Sequence, residues 1–159
     1  MFNFNSSAGL IFGNETSTKS SDQILNLLGK NIFIISDKGL TKLGLLERLI
    51  KKLKIKSNVK IFDDVESDPS RSTLLKAFNN ATEFNSTGIL GFGGGSSMDV
   101  AKLVSLLIKS NQDVETIWGV NNARGPRLPL VLIPTTAGTG SEVTPISIIT
   151  MDDKQKKGV

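Results

Sequence analysis

Thr87-Gly88-Ile89-Leu90-Gly91-Phe92-Gly93-Gly94-Gly95-Ser96-Ser97-Met98-Asp99-Val100-Ala101-Lys102 passes from a short apolar run through a glycine-dense turn into an apolar helical pattern. Ile89 and Leu90 suit a buried strand over residues 87–92, and the residues from Met98 to Ile108 read as a helix with its apolar side turned inward. A strand, a turn without side chains and a helix N-terminus together direct backbone N–H groups at one point, where an anion can be held. Three consecutive glycines remove the side chains that would keep a phosphate away.

The stretch is not the dinucleotide fingerprint G-x-G-x-x-G, because Ser96 stands where the third glycine belongs and the turn follows the third core strand, not the first. It is no Walker A loop either, since Gly-Lys-Ser/Thr is missing. Ser96-Ser97-Met98-Asp99 also fits a capping box, which would account for Ser96 and Asp99 without any ligand.

Working outward, the same alternation recurs on both sides. Asn31-Ile32-Phe33-Ile34-Ile35-Ser36-Asp37 reads as a parallel strand buried on both faces. Leu40, Leu43, Leu46, Leu49, Ile50 and Leu53 then mark an amphipathic helix. Val59 to Phe62 is a second strand; Ser70 caps a helix running to about Phe84; Leu128 to Ile133 is a strand after the glycine loop and its helix. A Ser-rich start and Ile24, Leu25, Leu27 and Leu28 predict a helix from about Ser17 that Gly29 stops. Residues 1–13, with Phe2 and Phe4 alternating against Asn, predict a β-hairpin or edge strand, and Val143 to Met151 a further strand. The expected fold is α/β, a doubly wound, mostly parallel, Rossmann-like sheet with helices on both faces.

Composition narrows the chemistry. The chain of 159 residues has no cysteine and no histidine, which removes disulfides, thiolate sites and imidazole-based catalytic zinc or iron sites. A net charge of +4, carried largely by Lys51, Lys52, Lys54, Lys56 and Lys60 and by Lys154, Lys156 and Lys157, reads as solvated helix faces; no aromatic residues interleave these lysines, so no nucleic-acid partner is expected. The N-terminus lacks a signal-peptide pattern and no apolar run approaches a bilayer span, so no membrane is expected and the cytoplasm is the expected compartment.

In a doubly wound sheet, ligands bind outside the C-terminal ends of the strands. Three stretches end there: Ser36-Asp37, the glycine loop, and Thr135-Thr136-Ala137-Gly138-Thr139-Gly140-Ser141-Glu142. A carboxylate at Asp37 can accept hydrogen bonds from a ribose diol, or serve as a helix N-cap. The threonine loop offers hydroxyls and free N–H groups to a pyrophosphate or an amide. Glu142 and Asp68 lie near the same edge without a histidine partner, and nothing points to acid–base catalysis by them.

Taken together, these residues resemble the iron-containing (group III) alcohol dehydrogenases, within the dehydroquinate synthase-like superfamily. The motifs are Ser36 to Gly44, Asp68-Pro69-Ser70, Gly91 to Lys102, and Pro134 to Thr144. The resemblance implies NAD(P)-linked interconversion of a small alcohol and its aldehyde or other carbonyl. Asp37 would hold the adenosine ribose and favour NAD over NADP. Gly94, Gly95, Ser96 and Ser97 would cradle the pyrophosphate, with Asp99 beside them, and Thr135, Thr136 and Thr139 would line the cofactor cleft. Asp68 stands where the family usually has Asn before Pro, and Lys157 matches a lysine near the cofactor ribose. The resemblance further implies that residues 1–159 are the NAD(P)-binding N-terminal domain alone. The metal-binding helical domain, with its divalent metal (iron first), would lie outside this chain. On that expectation no catalytic and no metal residue is present, the isolated chain is inactive, and apolar surface left by the missing domain makes self-association into a homo-oligomer a further expectation. Two rivals remain: a polyol or phosphopolyol dehydrogenase or dehydroquinate synthase relative, and a non-catalytic nucleotide-binding module.

Overall fold

The structure is a computed structural model that describes residues 7–159. The chain begins with α1 (Thr16–Lys19) and α2 (Ser21–Leu28), then β1 (Asn31–Ile35), α3 (Lys38–Lys42), α4 (Glu47–Leu53) and β2 (Asn58–Phe62). It continues with α5 (Arg71–Glu83), β3 (Gly88–Gly93), α6 (Gly95–Ser110), β4 (Leu130–Pro134), β5 (Ile148–Thr150) and β6 (Lys156–Gly158). The main sheet is parallel throughout, in the order β2-β1-β3-β4. β5 and β6 form a separate antiparallel pair, with Asp152-Asp153 in the turn between them.

The continuous apolar run of β1 finds its reason in two cores. Phe33 and Ile35 face one way, into a cluster with Leu74, Ala77, Val100, Ala101 and Val104 from α5 and α6. Ile32 and Ile34 face the other way, into a cluster with Ile24, Leu25, Leu28, Leu49 and Leu53 from α2 and α4. Side chains of a strand alternate between faces, so a strand covered by helices on both sides is apolar at every position. The expected three-layer, doubly wound architecture is observed.

Two glycines belong to this packing. A β-carbon at Gly88 would meet the Leu28 backbone at 2.6 Å, and one at Gly91 would meet Ala101 Cβ and Leu132 Cδ2 at 2.8 Å. Both are places where a helix or strand lies directly on backbone.

Three local expectations are corrected. The helix read through Leu40–Leu53 is broken, because Gly44 takes a left-handed φ of 69° that ends α3 and leaves Leu43 and Leu45 exposed before α4 begins. The helix from Ser17 is likewise divided at Ser20. The N-terminal hairpin or edge strand falls partly on residues 1–6, outside the described residues; residues 7–13 contain no strand, and Leu10, Ile11 and Phe12 are exposed.

Candidate functional site

The order β2-β1-β3-β4 means that the chain leaves β1 toward one side for β2 and returns to its other side for β3. That reversal opens a crevice above the adjoining C-terminal ends of β1 and β3, the usual ligand position of such sheets. All three predicted stretches lie along that edge: Ser36-Asp37 after β1, the glycine turn after β3 and the threonine loop after β4.

The glycine turn divides into two parts with different reasons for their glycines. At Gly93, φ is 152° and a β-carbon would sit 2.7 Å from Ser97 Oγ, so glycine is demanded by the chain itself. Gly94 and Gly95 are different. The Gly94 backbone is extended (φ −78°, ψ −173°), and β-carbons at the two positions would come no closer than 3.5 Å to Thr136 and 3.6 Å to Thr139. Neither backbone strain nor internal packing requires glycine there. What their missing side chains leave open is the N-terminal end of α6, which Gly94 caps without any side-chain hydrogen bond. The first-turn N–H groups of this 16-residue helix therefore face the crevice uncapped, at the positive end of its dipole.

The capping-box reading of Ser96 and Asp99 is thereby overturned. The helix starts at Gly95, two residues before the Ser97 that a Ser96 cap would make its first, which places Ser96 and Asp99 inside it. Asp99 instead reaches across the cleft: it accepts the Ser141 hydroxyl on Oδ1 and the Ile148 N–H on Oδ2 at 3.0 Å, with Lys102 Nζ 3.0 Å from Oδ1. Burial lowers the Lys102 pKa below its ordinary value, against the opposing attraction of Asp99.

A cleft of about 260 Å³ opens in front of the α6 N-terminus, lined by Asp68 and Pro69, Gly95, Ser96 and Asp99, Thr139 and Ser141, and by Ile148, Thr150 and Lys156 of the β5–β6 pair. Of the predicted residues it gathers Asp68, Gly95, Ser96, Asp99 and Thr139. Gly94 and Thr136 do not line it, although a β-carbon at Gly94 would stand 3.5 Å from the Thr136 hydroxyl; Ser97 is buried behind Gly93. Thr135 is exposed at the end of β4, where its N–H donates to Gly93 O at 2.9 Å. Lys157 does not line the cleft. Its neighbour Lys156 does, and pairs with Asp68. The cleft also takes in Ser141, Thr150 and Lys156, which no motif marks, since the β5–β6 hairpin that delivers two of them is brought there by bonds to Asp99 and Asp68, 49 and 88 positions away. For Lys156 a signal existed in strand alternation, which puts adjacent lysines on opposite faces.

Asp37 stands apart from this cleft. It is the N-cap of α3, its Oδ1 accepting the Leu40 N–H at 3.1 Å. Beside it a second hollow of about 230 Å³ is lined by Lys38, Asp63, Asp64, Val65 and Glu66. Lys38 is paired with Asp64, whose hydrogen bond and charge raise the lysine pKa while the lysine lowers that of Asp64. The N-cap reading of Asp37 and its ribose reading are compatible, since the cap uses one carboxylate oxygen.

Among the described residues no group of three or more His, Cys, Asp or Glu side chains is placed to hold a metal ion, and no helix is long and apolar enough to cross a membrane.

Residues 8–159 match the sequence model of a family described as iron-containing alcohol dehydrogenase. The sulfoacetaldehyde reductase of Bilophila wadsworthia is 35% identical over 153 residues, a match covering 94% of this chain and 39% of that protein. An iron-containing alcohol dehydrogenase of Thermotoga maritima superimposes with a TM-score of 0.80 at 39% identity, covering 91% of this chain and 41% of the other. The NADH-dependent butanol dehydrogenase A of the same organism superimposes with a TM-score of 0.88 at 26% identity, over 100% of this chain and 41% of that one. The chain thus spans well under half the length of the relatives it matches.

Proposed function

This chain belongs to the iron-containing alcohol dehydrogenase family, and from that premise we propose that it forms the dinucleotide-binding portion of an NAD-preferring alcohol dehydrogenase acting on a small alcohol or aldehyde. One observation carries the reading. Gly94 and Gly95 keep backbone open at the uncapped N-terminus of α6, in the switch-point crevice, where neither their own conformation nor their neighbours need glycine. A pyrophosphate fits that arrangement: it would take hydrogen bonds from the N–H groups of Gly95, Ser96 and Ser97, and the helix dipole favours its charge.

The other roles follow by position. Asp37 would accept the adenosine ribose hydroxyls and repel a 2′-phosphate. Asp68 and Lys156 would border the dinucleotide at the rim of the cleft, and Thr135, Thr136 and Thr139 would face it from the β4 side. NAD, when bound, supplies the nicotinamide carbon that exchanges a hydride with the alcohol; the chain's residues hold and orient the dinucleotide. A divalent metal does not fit the residues present, since His and Cys are absent and no acidic cluster of ligand size occurs among the described residues, so no step through a metal is derived. Exposed Phe12, Val120 and Ile146 support a proposed apolar contact with a further segment or a second copy.

The test is a fluorescence titration of the chain with NADH, alongside Gly94→Val. The expected result is saturable binding that the valine weakens at least about tenfold by filling the cradle. Equal binding by both proteins would remove the glycine turn from the site.

A further inference from the structure

Asp99 and Lys102 stand one turn apart on α6, Nζ 3.0 Å from Oδ1, with their side chains only 14% and 10% exposed. A nearly buried ion pair is retained only if its remaining hydrogen-bonding groups are satisfied. Every further partner of this pair falls in one irregular stretch, Ser141 to Ile148. Lys102 Nζ, with three N–H donors, has within hydrogen-bonding distance Ser141 O at 3.0 Å, Ser141 Oγ at 2.8 Å, and the carbonyls of Thr144 and Ile146. Asp99 accepts from the Ser141 hydroxyl and the Ile148 N–H.

Its far end is held in other ways too: Ser147 exchanges two backbone hydrogen bonds with Val159, Ile148 and Ile149 pair with β6, and Ile149 is buried in the core, whereas residues 139–146 have no such ties among the described residues. Among the described residues, Thr135 is tied to the main sheet through Gly93 O and Thr150 to the loop before α5 through Pro69 O. Between them, residues 136–149 reach α6 and the main sheet by hydrogen bonds only through Asp99 and Lys102. Yet Thr139, Ser141 and Ile148 form part of the lining of the cleft. We propose that Lys102, paired with Asp99, is a positioning residue that holds residues 139–148 as one wall of the dinucleotide cleft. The inference rests on the cleft's being the cofactor site. Lys102 does not line the cleft; it acts by converging the carbonyls of Ser141, Thr144 and Ile146 on one ammonium, so that the wall is in place before the dinucleotide arrives.

Lys102→Met keeps the aliphatic stem and removes the donors. The test measures NADH affinity and amide hydrogen exchange for the unaltered chain, Lys102→Met and Gly94→Val, at a temperature where circular dichroism shows each fully folded. A purely structural role would lower only the unfolding midpoint. A positioning role weakens NADH binding about tenfold in the folded protein, the size of one lost charge-assisted hydrogen bond, and speeds exchange within residues 139–148. Unchanged affinity and exchange in Lys102→Met overturn the clamp; if Gly94→Val still weakens binding, the cofactor reading survives that result. If Gly94→Val binds as the unaltered chain does, the cofactor reading fails, and exchange alone then decides whether Lys102 holds the wall. Should Lys102→Met not fold, Ser141→Ala carries the same test. It deletes the hydroxyl that Asp99 and Lys102 share, and unchanged affinity and exchange there overturn the clamp equally.

Discussion

Lys156 Nζ lies 2.7 Å from Asp68 Oδ1, an ion pair between residues 88 positions apart that borders the cleft in front of α6. Asp68 sits at φ 54°, its carbonyl accepts the Thr150 hydroxyl at 3.2 Å, and the next residue, Pro69, accepts the Thr150 N–H at 2.8 Å. The loop before α5 and the β5–β6 pair are thus fastened together at the rim, and the fastening places Lys156, not Lys157, on the cleft.

Lys156→Ala is therefore expected to weaken NADH binding several-fold, and Lys157→Ala to leave it unchanged. Both side chains of the pair are more than half exposed, so its loss should cost stability no more than about 1 kcal/mol. Titrating both variants at two salt concentrations checks this. A larger loss for Lys157→Ala would return the role to the residue that the family resemblance picks.

Glycines of the same strand and turn should separate cleanly under substitution. Gly88→Ala drives a methyl into the Leu28 backbone at 2.6 Å and should destabilise the chain by roughly 1–3 kcal/mol. Gly94→Ala meets nothing closer than 3.5 Å and should stay within about 0.5 kcal/mol of the parent. Urea unfolding of the two variants distinguishes them.

The start of α5 carries its own test. Ser70 Oγ accepts the Thr73 N–H at 3.2 Å, and Ser70→Ala should lose about 1 kcal/mol in the same urea experiment. Ser70→Asp, which preserves a capping acceptor, should lose less.

Glu66 closes that helix end from the outside, accepting the Ser70 N–H at 2.9 Å and the Thr73 hydroxyl at 2.8 Å. Desolvation raises its pKa, but these hydrogen bonds outweigh it and leave the carboxyl below its ordinary value of 4.5. The folded chain thus binds fewer protons there than the unfolded chain. The stabilisation is fully present above about pH 4.5 and is lost as pH falls through the folded-state value. Glu66→Gln should flatten the acid limb of the stability–pH curve, and an unaltered limb would show that Glu66 does not contribute to it.

Asp37→Asn keeps a capping oxygen for Leu40 N–H while removing the charge. Its unfolding midpoint should be close to the parent's, and its NADPH affinity should rise toward its NADH affinity by about tenfold or more. Unchanged discrimination between the two would take Asp37 out of the ribose position.

The reach of the sequence is clearest where the signal is local and the burial two-sided. Ile32 to Ile35 could be read as a central strand because every position is apolar, and Ser70 as an N-cap because capping needs only its own backbone and the next turn. Ligands of such sheets sit outside the strands' C-terminal ends, so the edge carrying the three stretches was legible too, whereas the order β2-β1-β3-β4 that places the crevice came from the structure. The capping-box reading of Ser96 and Asp99 fails, and for a physical reason: a capping box and the interior of a helix beginning at Gly95 share the same letters. What separates them is a partner 42 residues away, Ser141.

By itself the sequence determined the layers of this protein, its parallel sheet, and a glycine turn between a strand and a helix N-terminus, because those depend on periodicity, propensity and the steric freedom of glycine. Only the tertiary structure decided which glycines the fold needs and which it leaves open, that Lys156 and not Lys157 borders the cleft, and that Lys102 and Asp99 bond to residues 141–148. Those facts rest on contacts between residues tens of positions apart, and no local pattern encodes which distant atoms a side chain will meet.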